Sequence, residues 1–416
     1  MSENRRHRVQ FFLQERLGLD ALLGMASKKR VPFHRSTHFY YLGGMALFLF
    51  LVQIVTGILL SLYYKPSPDQ AFESVRAIVT EIDFGWLIRS AHSWSANLLI
   101  GVLLLHLLTT YMMRAYRRPR EMTWLTGVLL LGLFMAFGFS GYLLPWNELA
   151  FFATRVGTAI VGRIPIIGDQ LLLLARGGEN VTGDTLARFY ALHVVVLPLL
   201  TIGLLAVHLF LVQKHGMSVP DRERGPLGGI DRIRSIPFVP DFLLRDMVGW
   251  YLALGLLAAL AAIFPWELGE KANPFASAPE GIKPEWYFLF MFQTLHELPG
   301  HLGPFEGDVV AILVFGLAGL AVLLVPFLDR GARTRRMLNL LAMLAIAFFI
   351  VMTAWGWFSA ENEVGLRIIL GILLTLIVLT LPIPFTDPRT AARQTLYALL
   401  TLGGLVLLAA TARELL

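Results

Sequence analysis

Long apolar runs recur along the whole chain, and no other feature constrains its fold as tightly. A helix that crosses a bilayer needs about 20 mostly apolar residues. Nine segments qualify, at about 38–63, 86–111, 124–145, 186–212, 247–265, 308–327, 337–358, 365–383 and 392–412. Of the 416 residues, 56% are hydrophobic and 15% charged, too few charges for two or three soluble domains. Backbone in lipid has no water to bond, so each run must satisfy its own N–H and C=O groups as a helix. The expected fold is all-α, a polytopic transmembrane helical protein with about nine spans.

Charge placement predicts the orientation. With the N-terminus inside, the inner segments are 1–37, 112–123, 213–246, 328–337 and 384–395. They hold 24 of the 35 Lys and Arg residues but only 11 of the 29 acids. The positive-inside rule therefore places the N-terminus in the cytoplasm. The same bias accounts for the basic pI of 9.6 without a nucleic-acid partner. The first 37 residues lack an apolar stretch beside a small-residue cleavage site, so no cleavable signal peptide is expected. Cysteine is absent. That excludes disulfides, iron–sulfur ligation by this chain and covalent haem attachment through CxxCH.

The chain divides into a cytoplasmic N-terminal segment (1–37), a four-helix block (38–215), a linker (216–245), a second membrane module (246–383) and a further span (384–416). The stretch from Gln213 to Pro240 is rich in Pro, Gly and charge, as a linker should be. Two long outer loops are expected. Residues 146–185 contain amphipathic pieces suited to the interface. Residues 266–307 include "IKPEWYFLFMFQTLHELPG", apolar but too short to cross.

Four of the ten histidines fall inside spans: His92 and His106 in the second, His193 and His208 in the fourth. On an ideal helix 14 positions return to within about 40° of the starting face, and 15 positions to within about 60°. At 1.5 Å per residue each pair is separated by roughly 21–22 Å along its axis. The two spans run in the same direction, so His92 matches His193 near the outer side and His106 matches His208 nearer the inside. Two rows of imidazoles at matched depths suit two flat ligands stacked across the bilayer, and imidazole is a standard axial ligand of haem iron. The alternative is that hydrogen-bonded histidines join helices together. A zinc or copper site needs ligands that converge, which two separated pairs do not offer.

Glycines repeat the interval. Gly43 and Gly57 in the first span, and Gly127 and Gly141 in the third, are also 14 apart. Gly57 and Gly141 fall at the depth of the outer pair, Gly43 and Gly127 at that of the inner pair. A missing side chain leaves room where a haem edge meets a helix. Two axial histidines per iron favour electron transfer over oxygen chemistry. Arg89, near His92, is placed to pair with a haem propionate, or else snorkels to the interface.

These residues, with "LVQIVTG" (51–57), "GWLIRSAH" (85–92), "GYLLPWNE" (141–148) and "PEWY" (284–287), resemble cytochrome b of the cytochrome bc complexes, the quinol–cytochrome c reductases. The likeness runs from about Val31 to the eighth span. The first half is most similar to the photosynthetic branch, while the joined second half follows the respiratory one. Where the photosynthetic protein carries a haem-attaching cysteine, this chain has Tyr41, so no covalent haem c is expected.

The resemblance implies a Q-cycle subunit with two non-covalent b haems on His92/His193 and His106/His208. Quinol is oxidised at an outer site, and quinone is reduced at an inner one. Its implied partners are a Rieske iron–sulfur protein, a c-type cytochrome and membrane lipid, in a homodimeric complex of a bacterial inner membrane. At the outer site it places Pro284, Glu285, Trp286 and Tyr287, with Phe139 and Tyr142. Glu285 is the proton acceptor, although an acid there is also an ordinary first-turn residue of a helix. Phe292 stands where the family often has a tyrosine. At the inner site it places Arg245 and Asp246, with Lys214 and His215 as further candidates. Arg245 and Lys214 also read simply as positive-inside charges. The rival expectation is a di-haem anchor of another quinone-linked oxidoreductase, which would lack "PEWY".

Overall fold

The computed structural model describes residues 29–220, 233–279 and 282–358, with 11, 12, 15, 16 and 223. Seven helices among them are long and apolar enough to cross a membrane: Thr37–Ser61, Gly85–Met112, Glu121–Tyr142, Gly183–His215, Phe238–Ile263, Gly307–Leu328 and Ala332–Phe358. They are called spans one to seven below. The eighth and ninth expected spans lie outside the described residues. At most 22% of any span's apolar window is buried. Side chains such as Leu51, Val55, Leu199 and Leu252 face outward. That arrangement is stable only with lipid as the solvent.

The chain forms two compact units. The first comprises Met1–Ile282 with Ile312–Arg330, the second Lys283–Ala311 with Gly331–Leu416. In the first, span one packs on span two, span three on span four, and span five on both one and two. In the second, the short helix Trp286–Glu297 packs on span seven. Its ring contacts include Trp286 and Phe290, each against Phe349.

Within the first unit, two sets of non-spanning segments are tied at opposite ends of the helices. At one end, strand Arg30–Pro32 pairs antiparallel with Ser235–Pro237, with Val31 opposite Ile236. Arg120 donates to the carbonyls of His215 and Gly216. Tyr116 and Arg117 both donate to Asp329. At the other end, Asn147 donates to the carbonyl of Leu268 at 2.5 Å, and Lys271 pairs with Glu73.

Local chemistry explains several boundaries. Asn147 accepts from the Ala150 N–H at 2.8 Å and caps Glu148–Gly162, one of the expected interfacial helices. Thr182 and Thr185 form a reciprocal capping box where span four begins. Gly85 opens span two against the carbonyl of Ile78, where a Cβ would lie only 1.9 Å away. Only a glycine permits that approach.

Candidate functional site

The four intramembrane histidines all lie inside the first unit. The His92 and His193 rings are 6.4 Å apart, centroid to centroid. His106 and His208 each lie against a glycine of the neighbouring span, Gly43 and Gly127. Each ring lies against one of the four glycines. A Cβ added at Gly57 would meet His92 at 3.3 Å, and one at Gly141 would meet His193 at 2.6 Å. Gly43 faces His106 at 3.3 Å and Gly127 faces His208 at 3.2 Å. The space each glycine leaves is thus beside an imidazole. An added methyl at Gly141 would overlap the ring outright.

Three of the four imidazoles are held by a hydroxyl. His92 Nδ1 is 2.9 Å from Thr56 Oγ1, His193 Nδ1 is 3.1 Å from Ser140 Oγ, and His208 Nδ1 is 2.9 Å from Thr126 Oγ1. Each hydroxyl proton is already committed to its own helix. Thr56 donates to Val52 O, Thr126 to Met122 O and Ser140 to Phe137 O. The hydroxyl oxygen is therefore left to accept from Nδ1–H, and at His193 and His208 the backbone of Phe137 and of Thr123 offers the ring a second acceptor. That fixes the neutral tautomer with a free Nε2 lone pair, the form a metal ion binds. His106 Nδ1 is buried and has no such partner among the described residues. Gln53 adds a further tie, donating to the His92 carbonyl and to Ser95 Oγ, each at 2.5 Å.

Span four contains a π-turn at Leu192–Val196, closed by the Leu197 N–H on the Leu192 carbonyl. Pro198 follows directly, and it has no N–H to continue an α-helical ladder. A π-turn absorbs one extra residue. The 15-residue interval from His193 to His208 therefore behaves as a 14-residue one, leaving a rotation of about 40° instead of 60°. That is the rotation between His92 and His106. Ring orientation in span four comes from this turn, which a regular 3.6-residue period does not reveal.

Arg89 is buried, at 7% exposure, and donates to the Trp266 carbonyl and to the Glu267 carbonyl at 3.0 Å. A snorkelling side chain would have its head in water, and this one does not. Asp246 is also buried, its carboxylate seated where a Cβ on Gly44 would lie. Arg245 is exposed and stacks over Phe33 at 5.2 Å. Lys214 is exposed and His215 half-buried at the end of span four. No hydrogen bond or ion pair joins either of them to Arg245 or Asp246 among the described residues.

Also in the first unit, Phe139 packs edge-on against Phe189 at 5.7 Å, and Tyr142 closes span three. In the second unit Glu285 is the N-cap residue of Trp286–Glu297, and its side chain makes no capping bond. Burial pushes the Glu285 carboxyl up to about 7. The helix terminus alone would favour the ionised form, so desolvation is the larger effect. Tyr287 is buried at 3% exposure, with Trp286 packed edge-on against it. Phe292 sits on the same helix, half-buried.

Residues 27–216 match the family described as "Cytochrome b/b6/petB", and residues 271–379 match "Cytochrome b(C-terminal)/b6/petD". A "Cytochrome bc complex cytochrome b subunit" from Chlorobaculum thiosulfatiphilum is 45% identical over 358 residues, 84% of this chain and 81% of that protein. The chain belongs to the cytochrome b family. A "Cytochrome b6" from Gloeobacter violaceus is 43% identical over 51% of this chain and 99% of its own length. The first half is thus b6-like. A structure titled "Hyperthermophilic respiratory Complex III" superposes with a TM-score of 0.74 at 30% identity, covering 88% of this chain and 95% of that one. Members of the cytochrome b family carry b-type haem in a multi-pass membrane protein, which agrees with the spans found here.

Proposed function

We propose that this chain is the electron-transferring cytochrome b subunit of a bc-type quinol–cytochrome c reductase and that it operates a Q-cycle. The paired histidines carry the proposal. Two imidazoles on opposite sides of one metal ion, each bonded at about 2 Å, have ring centroids roughly 6 Å apart. The 6.4 Å between His92 and His193 fits that arrangement. So do the hydroxyl-fixed tautomers, which leave Nε2 free. His92 with His193 would hold an outer b haem, and His106 with His208 an inner one. When bound, such a group would supply a one-electron carrier.

The chain's own residues supply binding and proton handling. Quinol oxidation releases two protons with two electrons. Glu285, with its carboxyl pushed to about 7, is poised to accept one proton at neutral pH. Pro284, Trp286, Tyr287 and Phe292 are the further candidates beside it in sequence, and the family likeness separately offers Phe139 and Tyr142 for quinol binding. Asp246 and Arg245 are the candidates for quinone reduction on the inner side, with Lys214 and His215 as further basic groups there. Arg89, its guanidinium held by the Trp266 and Glu267 carbonyls, is the candidate that would pair with a propionate of the outer haem. Electrons leave through a Rieske protein and a c-type cytochrome in a dimeric complex, in a bacterial cytoplasmic membrane with the N-terminus inside.

A reduced-minus-oxidised spectrum of the purified chain tests the reading, with haem extracted and quantified. Two b-type haems per chain are expected, and one fewer in His92→Ala or His208→Ala. A wild-type chain with no b-type α-band would end the proposal.

A further inference from the structure

The hydroxyl that anchors each imidazole immediately precedes, in sequence, the glycine that faces the same ring. Thr56 precedes Gly57 at His92, Ser140 precedes Gly141 at His193, and Thr126 precedes Gly127 at His208. At the fourth position the pattern breaks. Gly43 faces His106, but the residue before it is Leu42. The Nδ1 of His106 is correspondingly left buried without a partner among the described residues. The outer pair therefore has two anchored imidazoles, and the inner pair has one.

A histidine that donates its second ring N–H to an acceptor becomes a stronger electron donor through the other nitrogen. Stronger donation favours the oxidised metal over the reduced one, and second-shell hydrogen bonding is one of the protein's levers on potential. We propose that Thr56, Ser140 and Thr126 are positioning residues that grade ligand strength, and that Leu42 is the deliberate gap. The outer pair is then the more reducing, and the step from outer to inner pair runs downhill. The inference rests on the bis-histidine reading above and adds to it the cause of the order.

Redox titration of the two b-type signals in the purified complex tests the proposal. Thr56→Val and Ser140→Ala should raise the potential of the same component, and Thr126→Val that of the other. Leu42→Ser installs the missing hydroxyl and should lower the component that Thr126→Val raises. A tenfold change in the balance of oxidised and reduced states is expected, about 59 mV for one electron. Thr56→Ser keeps the acceptor and should titrate as wild type, which a purely packing role for the threonine methyl would not allow. Unmoved potentials with both haems retained would overturn the proposal and leave the bis-histidine reading standing. A wild-type chain without haem would remove both. Should Thr56→Val lose its haem, Leu42→Ser still decides, because it adds a contact instead of removing one.

Discussion

At the scale of single residues, Glu285 carries the clearest pH signature. Its carboxyl is pushed to about 7 by burial. Only the ionised form can take a proton, so quinol oxidation should rise as pH increases through about 7 and level off above it. Glu285→Gln should lower the rate roughly 100-fold or more, the usual contribution of a positioned base, and abolish that rise. A full-rate variant with an unchanged pH profile would show that another group accepts the proton. The histidines and glycines were legible in the sequence, because ionisable groups in apolar runs stand out and a repeated interval of 14 needs no structure to be seen. Thr56, Ser140 and Thr126 were not. Hydroxyls in membrane helices ordinarily bond to their own preceding turn, and these do so as well. Only the folded structure shows that each also accepts from an imidazole.

Among the elements, span four differs most from its sequence reading. The apolar runs located the described spans because lipid requires a helix wherever the chain crosses. Span five begins earlier than its apolar run, since Arg245 and Asp246 interrupt the hydrophobicity without interrupting the helix from Leu243, which follows a kink at the non-helical Val239. In span four the 15-residue interval suggested a rotation of about 60°, and the structure removes it with a π-turn. Pro198 was the available signal, since a proline inside a helix requires some local adjustment. The turn makes an unusual prediction. Deleting Val195 should convert the π-turn to α-helix, leave 14 positions between the histidines and preserve both b-type haems. Deleting Leu103 in span two has no such reserve. It rotates His92 against His106 by about 100° and shifts it by about 1.5 Å, and should cost at least one haem. Haem extraction from the two purified deletion variants makes the comparison, and equal losses would refute the role given to the turn.

For the molecule as a whole, the charge count and the contacts address the same question from different directions. The positive-inside reading put 1–37, 112–123, 213–246 and 328–337 on one side from Lys and Arg alone. Within the first unit the structure ties together the described parts of those segments, residues 30–32 to 235–237, Arg120 to His215 and Gly216, and Asp329 to Tyr116 and Arg117. Asp329 explains how basic loops can converge. Its side chain is 1% exposed and takes bonds from Tyr116 at 3.0 Å and Arg117 at 3.2 Å, so a buried negative charge sits among the cations. Contacts show which segments share an end of the helices, while the charge rule predicts which side of the membrane that end faces. The absence of cysteine makes a direct test available, since single cysteines can be introduced without background. Arg118, with 96% of its side chain exposed, marks the basic end, and Ile166, also 96% exposed, lies between spans three and four at the other. A membrane-impermeant thiol reagent should label Ile166→Cys from outside intact cells and Arg118→Cys only in inverted vesicles. The reverse pattern would invert the membrane orientation, and with it the assignment of outer and inner histidine pairs.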